Sequence, residues 1–102
     1  LDEAHIATIA VHPECRSRGV GRELLATALK DAIHKGCRTA TLEVREGNLV
    51  ARSFYQRFRF AEVGRRPRYY RDNNEDALIM TVPALDAAYL AWLKGGAREA
   101  PG

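Results

Sequence analysis

Cysteine is scarce in this 102-residue chain, and long apolar runs are absent. No uninterrupted apolar stretch approaches the ~20 residues that cross a bilayer, and no basic-then-apolar signal segment opens the sequence, so no membrane association is expected. The two cysteines, Cys15 and Cys37, lack metal-ligand spacing, as do His5, His12 and His34. Two free thiols in a reducing, cytoplasmic compartment, three surface histidines and no metal are therefore the expectations. Internal repeats and low-complexity segments are also missing. These absences exclude disordered, collagenous and disulfide-rich classes.

What is present is 46% hydrophobic and 28% charged, enough apolar chain to close one core. Sixteen Lys and Arg stand against thirteen Asp and Glu, for a formal charge of +3. So small a surplus invites an anionic ligand without demanding a polyanion. Its placement matters more than its size.

Periodicity divides the chain into seven elements. His5 to Val11 reads as a strand ended by Pro13. Val20, Leu24, Ala28, Leu29, Ala32 and Ile33 recur at helical spacing up to Lys35, with Gly36 suited to the left-handed position beyond. Alternation from Thr39 to Val44 predicts a second strand, which places Glu43 and Thr41 opposite Leu42 and Val44. Asn48 is a good N-cap for a short helix to about Phe58. Strands near Phe60–Arg66 and Ala77–Val82 flank the polar loop 71–76, and Pro83 is placed to open a last helix. A domain over 1–94 and a flexible tail over 95–102 follow. Two crossover helices favour a mainly parallel start and an antiparallel hairpin after it, giving an α/β domain.

The most informative segment is Arg16-Ser17-Arg18-Gly19-Val20-Gly21-Arg22, between a strand and a long helix. Glycines let a backbone approach a ligand closely, and a helix N-terminus offers unpaired N–H groups and a positive dipole end. Three arginines add full charge, which makes a site for phosphate or pyrophosphate. A dinucleotide fingerprint would need glycine where Leu24 stands, and a P-loop would need Gly-Lys-Ser/Thr. Both are absent.

This R-x-x-G-x-G segment resembles that of the GCN5-related N-acetyltransferases, and the resemblance runs from Ile9-Ala10-Val11-His12-Pro13 to Val82. Leu42-Glu43-Val44-Arg45 with Asn48, Phe54-Tyr55, Arg68-Tyr69-Tyr70 and Glu75-Asp76-Ala77-Leu78-Ile79-Met80 follow in order and at matching spacing. They are most similar to the bacterial group that acetylates an N-terminal alanine of a ribosomal protein. The resemblance implies the C-terminal part of a mixed-sheet acetyltransferase fold, acetyl-coenzyme A as cosubstrate, and a peptide or protein N-terminus, ribosomal in origin, as acceptor. It implies that Arg16 to Arg22 hold the pyrophosphate, that the backbone of Ile9, Ala10 and Val11 holds pantetheine, and that Asn48 contacts the coenzyme. It assigns Glu43 as general base and Tyr55 as the acid that protonates the thiolate. Residue chemistry agrees in kind, since acyl transfer to an amine needs one group to take a proton and another to return one. Read from periodicity alone, Glu43 is better taken as a solvated strand residue and Tyr55 as a packed aromatic, and only the resemblance reverses this, while Tyr69 and Tyr70 are equally a groove wall or a cross-strand pair.

Two departures from the family pattern carry expectations. Arg59 stands where the family has glycine, and a left-handed non-glycine residue costs about 1 kcal/mol or more, so a different turn is expected there. The family's front half-domain has no counterpart here and the first residue is Leu1, so the chain reads as the coenzyme-binding part of a larger domain. An exposed edge on the first strand then predicts self-association. The competing functions are an inactive coenzyme-binding fragment and a basic module for ribosome or nucleic acid; no RNA-binding aromatic motif supports the latter, and no direct nucleic-acid contact is expected.

Overall fold

The computed structural model describes residues 3–6 and 20–95. Its elements are β1 (Glu3–His5), α1 (Val20–His34), β2 (Thr39–Arg45), α2 (Leu49–Arg57), β3 (Ala61–Tyr70), β4 (Glu75–Val82) and α3 (Ala87–Gly95). Strand-helix-strand-helix-strand-strand-helix is the order expected from the pattern. Only the start of the first predicted strand, from His5, falls within the description; Ile9 to Val11 and Arg16 to Gly19 lie outside it, as does Cys15.

The four strands form one sheet in the order β1-β2-β4-β3. β1 runs parallel to β2, with His5 opposite Thr41, and the Ile6 N–H continues the pairing to the Thr41 carbonyl at 2.8 Å. The parallel start therefore holds for this pair. β4 returns antiparallel between β2 and β3, so the hairpin's second strand, not its first, becomes the neighbour of β2. Local periodicity is the same for either order, and only the packing of the whole sheet chooses.

Alternation fixes which side of the sheet is apolar. Ala40, Leu42 and Val44 of β2 and Leu78, Met80 and Val82 of β4 are buried in one cluster with Leu25, Leu29, Tyr55, Phe58, Tyr89 and Leu93 from the three helices. Each fully buried Leu contributes roughly 1.5–3 kcal/mol relative to exposure, so this layer carries the fold. The opposite side holds Thr41, Glu43 and Arg45, which stand across from Thr81, Ile79 and Ala77. There the Thr81 hydroxyl donates to Thr41 Oγ1 at 3.1 Å, so neither hydroxyl is stranded at the strand interface.

Helix ends follow their predicted chemistry with two corrections. Gly36 takes φ +88 after α1, as the C-terminal position requires, and the Cys37 N–H closes on Ala32. Cys37 is a free, half-buried thiol packed against the core. α3 starts at Ala87 rather than at Pro83, because the Asp86 carboxylate caps it by accepting the Tyr89 N–H at 2.8 Å. α3 also continues to Gly95, one residue into the segment read as tail.

The second correction concerns Arg59. The turn after α2 keeps the left-handed form, with Arg59 at φ +69 and the Phe60 N–H bonded to the Tyr55 carbonyl at 3.1 Å. The Arg59 guanidinium lies 4.3 Å over the Trp92 ring, a cation–π contact of about 0.5–1 kcal/mol that offsets much of the backbone cost. The chain accepts a strained residue here instead of changing the turn.

Candidate active site

The polar side of the sheet gathers three strands around one carboxylate. Glu43, central on β2, is only 15% exposed, which sets aside the reading of a freely solvated strand residue. Its Oε1 lies 2.8 Å from Nε2 of His5 on β1, and its Oε2 accepts from Nε of Arg66 on β3 at 3.2 Å. Both carboxylate oxygens thus have a partner from a different strand. His5 is exposed, as expected of a surface histidine, but it is not idle: parallel pairing of β1 with β2 brings it onto the face of Glu43. The exposed His5 precedes the buried Ile6, and the register between β1 and β2 decides what it meets.

Tyr55, on α2, belongs to the buried cluster on the helix-covered side of the sheet. It is 2% exposed, with its ring edge-on to Phe54 and Phe60 at centroid distances of 5.4 and 5.8 Å. Burial raises its phenol above the ordinary range, and the nearby Tyr70 phenol adds to the rise. Tyr70, at the end of β3, is also raised, first by burial; the Arg45 guanidinium opposes this while Tyr69, Glu43 and Glu75 favour it. Tyr70 is therefore within electrostatic reach of both Glu43 and Tyr55, a link that sequence spacing could not supply. Arg45 caps the Tyr70 ring at 4.0 Å, and Tyr69 meets Tyr70 edge-on at 5.2 Å, as in an aromatic pair of adjacent residues.

Asn48 is the N-cap of α2: its Oδ1 accepts the Ala51 N–H at 3.1 Å. That use of the carbonyl leaves the amide NH2 as the group with which it would meet a ligand. Val20, Gly21 and Arg22 form the first turn of α1, directly after the arginine-rich stretch and at the positive end of the helix dipole. Arg16, Ser17, Arg18 and Gly19 themselves, with Ile9, Ala10 and Val11, fall outside the described residues. Among the described residues no group of three His, Cys, Asp or Glu side chains could hold a metal ion, and no helix is long and apolar enough to cross a membrane.

Comparison with known proteins decides the family. The acetyltransferase (GNAT) family model matches residues 1–60, more than half of the chain. The chain belongs to the GNAT acetyltransferase family. The ribosomal protein bS18 alanine N-acetyltransferase of Escherichia coli (strain K12) is 40% identical to this GNAT chain over 85 residues, 81% of this chain and 57% of that protein. A Bacillus subtilis (strain 168) relative whose name points to the same reaction is 42% identical over 82 residues, covering 80% of this chain and 54% of its own length. The crystal structure of the Escherichia coli ribosomal-protein-S18-alanine N-acetyltransferase superposes with a TM-score of 0.73 at 39% identity, over 85% of this chain and 57% of that one. Arabidopsis thaliana NAA60, solved in complex with acetyl-CoA, superposes with a TM-score of 0.71 at 25% identity, over 78% of this chain and 47% of that chain. The GNAT chain spans about half the length of the relatives it matches.

Proposed function

We propose that this GNAT chain takes part in moving the acetyl group of acetyl-coenzyme A to the N-terminal amine of a peptide or protein, with the N-terminal alanine of a ribosomal protein as the favoured acceptor. The observation that carries the reading is the half-buried Glu43 carboxylate, held by His5 and Arg66 on the polar side of the sheet and within electrostatic reach of Tyr70, which in turn reaches Tyr55. The acceptor is inferred from the relatives at 40% identity, whose names give that acetylation.

Acetyl-coenzyme A supplies an activated thioester. The acceptor amine arrives as ammonium and must lose a proton before its lone pair attacks the thioester carbon. Glu43 takes that proton, directly or through one water, while His5 and Arg66 fix the carboxylate so that it need not reorganise. As the tetrahedral intermediate collapses, the thiolate leaves and Tyr55 returns a proton to sulfur. A phenol raised by burial stays protonated at neutral pH, which is the state a donor needs. The first turn of α1, from Val20 through Arg22, would meet the pyrophosphate together with Arg16, Ser17, Arg18 and Gly19, and Asn48 would donate its amide to the coenzyme. The backbone of Ile9 to Val11 would pair with pantetheine. Neither cysteine enters the route.

Titration calorimetry with acetyl-coenzyme A and a thiol-release assay with an alanine-starting peptide test this. Binding and turnover are expected, with Glu43→Gln lowering turnover by roughly 10²–10⁴-fold while coenzyme affinity is kept. Failure of the coenzyme to bind would overturn the whole reading. Unchanged turnover in Glu43→Gln would remove the base assignment alone.

A further inference from the structure

The end of the β3–β4 hairpin is poorly served by its own backbone ladder. Pro67 has no N–H to donate, the register shifts between Arg66 and Tyr70, and Arg68 takes φ +51. Carboxylates do the holding instead. Asp76 accepts the Arg68 N–H at 2.9 Å, and Asp72 accepts from Arg45 at 3.0 Å. Both act on the hairpin or on β2.

Glu75 reaches further. Its side chain, 19% exposed, accepts the backbone N–H of Gly47 through Oε2, while Oε1 accepts from Asn73 Nδ2 at 3.2 Å and Arg45 Nη1 at 3.5 Å. Gly47 lies in the turn between β2 and α2, one residue before the Asn48 cap. A Cβ at Gly47 would stand 2.7 Å from Glu75 Oε2, so only glycine admits this approach. The same Arg45 lies over the Tyr70 ring. One carboxylate therefore joins the turn that starts the Tyr55 helix, the tip of the hairpin, and the arginine that seats Tyr70.

We propose that Glu75 is a positioning residue that locks the hairpin bearing Tyr69 and Tyr70, the acceptor side of the site, to the β2–α2 turn that leads to Asn48 and Tyr55, the coenzyme side. The proposal rests on the acetyltransferase reading for its division into acceptor and coenzyme sides, but the lock itself does not depend on it. Glu75 touches no reacting atom. It extends past the last backbone bond between these two parts of the site, that from the Glu46 N–H to the Asp76 carbonyl at 3.0 Å, and its removal frees the hairpin tip without opening the helix-covered core.

Amide hydrogen exchange on the full chain, compared for wild type, Glu75→Ala, Glu75→Gln and Gly47→Ala, tests the lock. In Glu75→Ala, exchange at residues 47–49 and 71–74 is expected to rise about tenfold while residues 25–33 of α1 are unchanged. Gly47→Ala should reproduce the pattern by pushing the carboxylate away, and Glu75→Gln, which keeps an acceptor oxygen for Gly47, should recover most of the protection. Kinetics supply a second reading: Glu75→Ala is expected to raise the peptide KM about tenfold and to change kcat less than threefold. Unchanged local exchange, or equal acceleration in α1, would overturn the lock. Local loosening with an unaltered peptide KM would overturn its role on the acceptor side. A wild-type chain that transfers no acetyl group would sink the proposed function instead, and the exchange pattern would still decide the lock.

Discussion

The two faces of the sheet are built by different forces. On the helix-covered face, Leu25, Leu29, Leu42, Leu78, Met80 and Leu93 are almost wholly buried and interlock without any polar partner. On the other face, Glu43, Arg45 and Arg66 are placed by hydrogen bonds and ion pairs between strands and turns. Apolar packing is non-directional and large, so it secures the fold but cannot aim a single carboxylate. Charged hydrogen bonds are directional and, where exposed, individually small, so they aim side chains while adding little stability. The stability of the fold and the aiming of Glu43 are thus separable in this chain, one on each side of the same strands, while Tyr55 belongs to the helix-covered side.

The comparison can be broken at its strongest point first. Leu29→Ala should cost about 2–5 kcal/mol in urea unfolding, because the helices surrounding that cavity cannot all collapse into it. Glu43→Gln, on the other face, should leave the urea midpoint almost unmoved while it removes turnover. A variant of Glu43 that unfolded the chain would show the two faces to be one energetic unit. Asn48→Ala is smaller, at about 1 kcal/mol, since the N-cap satisfies one donor of the first turn of α2. Circular dichroism in urea measures it.

Acid should loosen the polar face before the apolar one. Asp72, Glu75 and Asp76 are held below the ordinary carboxylate range, chiefly by the hydrogen bonds from Arg45, from the Gly47 N–H and from the Arg68 N–H respectively. A depressed folded-state value means that their stabilisation is complete above the unfolded value of about 4 and is lost as pH falls through the folded ones. Hairpin amide signals in an NMR titration should therefore shift and broaden below pH ~4, while those of Leu25 and Leu29 keep their positions. Arg59→Gly is expected to have the smallest effect, within about 1 kcal/mol, because relief of the positive φ is set against the lost stacking on Trp92. A stabilisation well beyond that would show the Trp92 contact to be worth nothing.

Much of this architecture is legible without coordinates. The 3.6-residue spacing from Val20 to Ile33, the alternation from Thr39 to Val44, the capping chemistry of Asn48 and the left-handed glycine at position 36 each depend on neighbours close in sequence, and each stands where it was expected. The start of α3 was less legible: Pro83 is a permissible first residue, but Asp86 offers a capping carboxylate and a side chain that accepts an N–H outweighs a residue that merely lacks one. β3 extends past Pro67 because an edge strand tolerates a missing donor, which the identity of proline alone does not reveal.

The sequence by itself determined the elements, the apolar face of each, and the residue types proposed to carry acetyl transfer, since all of these follow from short-range periodicity and motif chemistry. Tertiary structure alone decided that β4 lies between β2 and β3, that His5 and Arg66 converge on Glu43, and that Glu75 bridges to Gly47 across 28 positions. The physical reason is register. A strand's pattern says which face a side chain takes, but the partner it meets there depends on how far neighbouring strands slide, and that is set by the packing of the whole sheet.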